Sequence, residues 1–293
     1  MKARNFNFWG LVPAWAIMLL TLIVPIGIIV LVSFAERGPY GGFEWKFSLD
    51  AYRQILFAED WSGTLAFNPQ YLGIIARTVW LAALATLICA LLSFPVAYFI
   101  AAQSSSVKSI LIYLVTLPFW VSMIVRVYAW LLILGNDGVV EKTLTGLGLA
   151  GDIDSLLFND GAMLVGLVYS YIPLMILPVY ASVEKFDKSY IEAAHDLYGN
   201  RWTTLRRVII PLVSPGLVAG AILVFVPCLG AVLEPTLLGG GKNIMMGNLI
   251  QTQFGTARNW PFGSAIAIVL LVLVMIVLII NARRAARRGE IEL

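Results

Sequence analysis

Six stretches of this chain are too long, too apolar and too poor in charge to sit inside a water-soluble core, and they decide what it can become. They cover residues 11–34, 71–102, 110–134, 162–181, 212–238 and 262–281. A helix rises about 1.5 Å per residue, so about 20 residues cross a hydrocarbon layer about 30 Å thick. That layer holds no water, so each backbone N–H and C=O must be paired within the spanning segment, as a helix does. The expectation is an all-α, polytopic membrane protein, one transmembrane domain over residues 1–293 with six helices. Apolar residues make up 60% of the 293 positions and charged ones 13%, too little polar surface for a soluble chain of this size. A signal peptide is the competing reading of the first run. That run exceeds a cleaved apolar region in length, and no small-residue cleavage site follows at 33–37.

Prolines and glycines punctuate the spans unevenly. The second run carries Pro95, the third Leu117-Pro118-Phe119-Trp120, and the fourth Pro173 and Pro178. The fifth holds Pro215, Pro227 and Pro235 with several glycines, which predicts a broken or kinked helix of the kind that lines transport pathways. Between the first two spans, Leu49–Phe57 reads as a short helix lying on the membrane surface. Cys89 and Cys228 both fall inside apolar runs, so two buried thiols are expected and no disulfide framework.

Orientation follows from the basic residues, which are retained on the cytoplasmic side. With six spans, the face carrying both termini holds twelve of the twenty: Lys2, Arg4, Lys108, Lys185, Lys188, Arg201, Arg206, Arg207, Arg283, Arg284, Arg287 and Arg288. Both termini and the 182–210 loop are therefore expected in the cytoplasm. Eleven of the seventeen acidic residues, Glu234 included, fall on the external side, which acquires a negative balance.

The 182–210 loop is the longest polar interval on that inner face. Phe186, Tyr190, Ala194 and Leu197 recur at helical spacing, while Lys185, Lys188, Glu192 and His195 occupy other faces. Ser189 three residues before Glu192 is a capping-box pattern, and Gly199-Asn200 supplies a stop. A compact amphipathic helix held just below a membrane is suited to docking a partner.

Catalytic chemistry is scarce. One histidine, His195, permits neither a histidine triad nor a multi-histidine metal site, and no catalytic residue, metal or cofactor is expected. Gly239-Gly240-Gly241-Lys242-Asn243 lacks the first glycine and the hydroxyl residue of a phosphate-binding loop, and reads as a flexible turn. Besides Arg77, counted with the external end of the second run, two charges stand out in the spans, where each costs about 2.5–3.5 kcal/mol unless it faces protein or water. Arg126 stands among Trp120, Tyr128 and Trp130, and either packs helices or faces a pathway. Glu234 sits near the external end of the fifth span, as a pathway acid or a solvated acid at a helix end.

Glu192-Ala193-Ala194, a glycine soon after, and Pro211 nineteen residues beyond the glutamate resemble the EAA loop of inner-membrane permease subunits of binding-protein-dependent ABC importers. Val125-Arg126-Val127-Tyr128-Ala129-Trp130 and Leu237-Leu238-Gly239-Gly240 resemble stretches of the spermidine/putrescine branch, so the likeness runs through most of the chain. In that family a glycine follows the first glutamate by six positions. Here that place holds Tyr198 and the glycine comes one later, which is read as a shifted turn.

The resemblance implies a type I permease fold in a bacterial inner membrane. It implies that Glu192, Ala193, Ala194, Asp196, Gly199 and Pro211 couple the chain to an ATPase. It also implies a related but distinct second permease, two ATP-binding subunits, an external solute-binding protein and membrane lipid as partners, and no nucleic acid. A polyamine such as putrescine or spermidine is the expected substrate. Arg126, Trp120, Tyr128, Trp130, Tyr169, Tyr171 and Glu234 are the expected pathway residues, the aromatics stacking on a cation. An acid common in that branch falls at Ala231 here, and a fixed Arg126 would suit a carboxylate, so an amino acid derivative or opine-like compound is the alternative. An ion-coupled secondary transporter is a further one, but neither internal repeats nor a series of intramembrane acids supports it.

Overall fold

The computed structural model of the chain describes residues 8–59, 65–147, 156–187 and 189–287. Lys2, Arg4, Lys188 and Arg288 lie outside that set, as does the side chain of His195. The order begins with α1 (Phe8–Ser33), the strands β1 (Ala35–Arg37) and β2 (Phe43–Phe47), α2 (Asp50–Leu56), and β3 (Phe57–Glu59) with β4 (Leu65–Phe67). Then come α3 (Gln70–Ala101), α4 (Ser105–Thr116), α5 (Met123–Leu134), α6 (Val139–Gly146) and α7 (Asp160–Glu184). The last third holds α8 (Ser189–Asp196), α9 (Arg201–Thr204), α10 (Ile210–Leu229), α11 (Leu233–Leu237), α12 (Met246–Phe254) and α13 (Trp260–Arg287). Among the described residues six helical stretches are long and apolar enough to cross a membrane, but the third is Met123–Gly146 and not the expected 110–134, whose first half forms a separate short helix, Ser105–Trp120. The chain divides into two compact units, Met1–Leu72 with Leu249–Met275, and Gly73–Asn248 with Ile276–Leu293.

In the first unit α1 is apolar on all its faces, as a helix solvated by lipid must be, and its end is tied down by aromatic contacts. Phe34 stacks on Phe47 with ring centres 5.8 Å apart, and the Ser33 hydroxyl meets the Tyr52 hydroxyl at 2.9 Å. β1 and β2 form an antiparallel hairpin, and β3 and β4 a second one. The sequence did not announce these strands, because three to five residues are too few for an alternating pattern to register. α2 forms where a short helix was expected.

In the second unit α7 and α10 form the tightest pair. Gly216 and Gly220, four residues apart on α10, face α7. A Cβ on Gly220 would stand 2.5 Å from the Met175 sulfur, and one on Gly216 would strike Ser182. Paired small residues let two membrane helices approach closely where no water drives them together.

The third apolar run is interrupted. α4 passes into a 3₁₀ turn at Leu117–Trp120, the backbone extends at Val121 and Ser122, and α5 starts afresh. Pro118 offers no N–H to the helical ladder. The fifth run is broken as expected, but not at a proline. Pro215 and Pro227 lie inside α10, and the break falls at Gly230–Val232, ahead of α11.

Candidate functional site

The break after α10 is held from the return stretch. The Asn248 side-chain amide donates to the Val232 carbonyl at 2.9 Å and to the Thr236 hydroxyl at 2.6 Å, and the Met246 N–H donates to the Thr78 hydroxyl at 3.0 Å. Gly247 lies against the carbonyls of Gly230 and Ala231, where no side chain would fit. The Gly239–Asn243 segment is a turn, with Gly240 and Gly241 at φ +65° and +73°. A Cβ on Gly240 would meet the Phe158 ring at 2.5 Å.

That framework presses α11 against α5 and α7 and drives Glu234 inward. Gly166 of α7 makes room: a Cβ there would collide with Leu238 and stand 3.3 Å from Glu234 Cγ. Glu234 is 0% exposed, and neither carboxylate oxygen has a hydrogen-bond partner among the described residues. The Ser170 hydroxyl faces it without a hydrogen bond of ordinary geometry. Arg126 of α5 and Tyr171 of α7 lie within electrostatic reach. Arg126 forms no ion pair with a described residue, and its Nε and Nη1 are buried and unpartnered within that set.

Arg126, Tyr171 and Glu234 therefore come together from three helices. Nearby rings are less concentrated. Trp130 and Tyr169 meet edge to face with centres 5.5 Å apart, whereas Trp120 and Tyr128 are exposed and join no ring pair among the described residues. Ser170 and Gly166 were not anticipated. A glycine and a serine at spacing four on one helix carried the only available signal.

The 182–210 loop is built differently. α8 starts where Asp187 accepts the Ser189 N–H at 2.9 Å and also takes the Ser189 hydroxyl, which holds the Asp187 carboxyl below the ordinary aspartate range. The capping oxygen is thus Asp187, two residues ahead of the serine expected to cap. The turn after α8 is not shifted. Tyr198 itself adopts φ +58°, the left-handed conformation a glycine would take without strain, and the Gly199 N–H bonds the Ala194 carbonyl at 2.9 Å. Gly199 is still required, because a Cβ there would stand 2.5 Å from the Ala194 oxygen. Asn200 then caps α9 through the Thr203 N–H at 2.7 Å. A π turn at Leu205–Ile209 leads into Pro211, whose missing N–H a regular helix would have to accommodate. Glu192, Ala193, Asp196 and Pro211 are exposed, with Ala194 and Gly199 half-buried. Beside α8 a cavity of about 540 Å³ runs past Gln103, Ile191, Glu192 and the Lys108–Glu184 ion pair, which closes at 2.8 Å.

The profile of a family described as "Binding-protein-dependent transport system inner membrane component" matches residues 93–289. The spermidine/putrescine transport system permease protein PotB of Escherichia coli K12 is 34% identical over 266 residues, 91% of this chain and 93% of that one. Its Haemophilus influenzae counterpart is 33% identical over 285 residues, 97% and 96% of the two chains. Among solved structures, a bacterial alginate ABC transporter in complex with alginate pentasaccharide-bound periplasmic protein superposes with a TM-score of 0.75 at 16% identity, covering 98% of this chain and 96% of that one. That likeness concerns the fold.

Proposed function

The chain belongs to the family of binding-protein-dependent transport system inner membrane components, a multi-pass permease subunit of the inner membrane, and from that premise we propose that it forms part of the import pathway for a polyamine. The observation that carries the reading is Glu234. A buried acid with no partner is costly, and a pathway that must pass an organic cation is a setting in which that cost serves a purpose. Arg126 lies within electrostatic reach of Glu234 without an ion pair to it. An incoming ammonium supplies hydrogen bonds to the carboxylate that Arg126 does not make. The external acids raise the local concentration of cations, and the Trp130–Tyr169 pair offers ring faces to an alkyl-ammonium, each such contact contributing about 0.5–2 kcal/mol. The identity to relatives named as spermidine/putrescine permeases supports the same substrate class.

ATP hydrolysis belongs to partner subunits in this reading. The 182–210 loop receives them through Glu192, Ala193, Ala194, Asp196, Gly199 and Pro211. A second, related permease and an external solute-binding protein complete the importer. The uneven basic residues put that loop and both termini in the cytoplasm. Single cysteines check the orientation: Tyr40→Cys reacts with an impermeant thiol reagent in intact cells and Leu197→Cys does not, whereas outside labelling of Leu197→Cys reverses the topology.

One observation favours a second substrate class. The buried, unpartnered nitrogens of Arg126 would suit a carboxylate, as in an amino acid derivative. Uptake into vesicles by the assembled importer with its binding protein separates the two. Labelled putrescine or spermidine accumulates with ATP if the polyamine reading holds, and only a carboxylate-bearing solute does so if it fails.

A further inference from the structure

A second cavity, of about 530 Å³, opens between the end of α3 and the stretch from α8 to the π turn. Pro95, Tyr98 and Phe99 of α3 and Ile191 of α8 make its lining apolar. One group departs from that character. Arg201 lines the cavity, is exposed and forms no ion pair with any described residue, whereas the buried Thr204 turns its hydroxyl toward Gly199.

The position limits what can enter. Tyr98 and Phe99 are exposed on a membrane-spanning helix one turn before it ends at Ala101, so the cavity lies where hydrocarbon gives way to headgroups. Arg206 and Arg207 follow Arg201 closely, both exposed, and add to a positive field that none of the described acids pairs with. A purely apolar helix from a neighbour would leave the Arg201 charge uncompensated. A molecule with hydrocarbon at one end and an anionic, oxygen-rich head at the other satisfies all of these groups.

We propose that this cavity binds an anionic phospholipid, its acyl chain against Pro95, Tyr98 and Phe99 and its phosphate on Arg201. The lipid links the end of α3 to α8 through Ile191 and to the root of α10 through Thr204. Its headgroup therefore sets how firmly the inner loop is held. The binding site stands on its own geometry, while its effect on ATP-driven transport rests on the importer reading above.

The test purifies the chain with its partner subunits into nanodiscs of phosphatidylcholine containing a minority of phosphatidylglycerol. Lipid retained after extraction is counted by native mass spectrometry, and ATP hydrolysis is measured in discs with and without phosphatidylglycerol. The wild type retains phosphatidylglycerol selectively and hydrolyses ATP faster when it is present. Arg201→Gln weakens retention about fivefold, as removal of one basic contact at a membrane surface predicts. Arg201→Glu, which reverses the charge at an exposed position, weakens it further, and Arg283→Gln, outside the lining, leaves it unchanged. Soluble glycerol phosphate does not displace the lipid, because it brings no chain for the apolar wall.

Equal retention by wild type, Arg201→Gln and Arg201→Glu overturns the proposal. So does displacement by glycerol phosphate alone, which assigns the site to a free phosphate, or cross-linking of Phe99→Cys to a partner subunit in place of lipid. The count needs no transport, so a failure of the substrate reading leaves it intact, and lipid retention without any effect on hydrolysis removes only the coupling role.

Discussion

The cluster around Glu234 and the loop around α8 are incomplete in opposite senses. Glu234 is an acidic side chain, 0% exposed, whose carboxyl oxygens have no hydrogen-bond partner among the described residues. Leu197 and Tyr198 are apolar or amphipathic groups, 82% and 99% exposed, on a segment outside the six spans. The first region is closely packed: glycines at 166 and 247 leave no room for a Cβ, and Asn248 hydrogen bonds tie the break. The second is held by short-range contacts, the caps Asp187 and Asn200 and the Gly199–Ala194 bond. A site that must discriminate a small solute needs fixed geometry around an unsatisfied charge, whereas a surface that meets a large, moving partner needs exposed apolar area on an element able to shift.

The comparison breaks first at the loop. Glu192→Lys and Gly199→Trp are expected to abolish transport while the chain still inserts and assembles with the second permease, because they alter the exposed surface and the turn without touching the spans. Normal transport by Glu192→Lys in the complete importer would remove the docking assignment.

A smaller effect separates strain from contact. Tyr198 in the left-handed region costs about 1–2 kcal/mol that glycine avoids. Tyr198→Gly should therefore raise the amide-exchange protection of the α8–α9 turn by about tenfold, as about 1.4 kcal/mol implies. If the ring is a docking contact, ATP-driven transport falls although the turn has become more stable.

The smallest expected effect is electrostatic. The folded Asp187 carboxyl titrates below its unfolded value because it accepts the Ser189 N–H. Its contribution to α8 is therefore complete above the unfolded value and is lost as pH falls through the folded one. Exchange protection at the start of α8 should decline over that acidic window in the wild type and stay flat in Asp187→Asn. Ser189→Ala, which removes only the hydroxyl, should be milder than Asp187→Asn at neutral pH.

Much of the fold was legible because membrane physics is severe: five of the six apolar runs coincide largely with a helix long enough to span, while the third, 110–134, is split and its span shifts to Met123–Gly146. The breaks were harder to locate. Pro215 and Pro227 remain within α10, and the interruption sits at Gly230–Val232, fixed by Asn248 from a distant part of the sequence. Ser189 and Glu192 had the spacing of a capping box, but Asp187 lies closer to the first free N–H and competes successfully. Arg126 and Glu234 were each visible as charges in apolar runs. Their proximity, and the burial that removes the reading of Glu234 as a solvated acid, depend on how α5, α7 and α11 pack, which no local pattern encodes.

The most direct test of the account compares polyamine uptake by the wild type, Glu234→Gln and Arg126→Gln in one preparation of the assembled importer with its binding protein. Glu234→Gln keeps the shape of the site and removes its charge. The account expects at least about a tenfold loss of putrescine or spermidine uptake, the rate equivalent of about 1.4 kcal/mol, while Arg126→Gln retains uptake. Wild-type uptake of a carboxylate-bearing solute in place of any polyamine, abolished by Arg126→Gln and indifferent to Glu234→Gln, would contradict it.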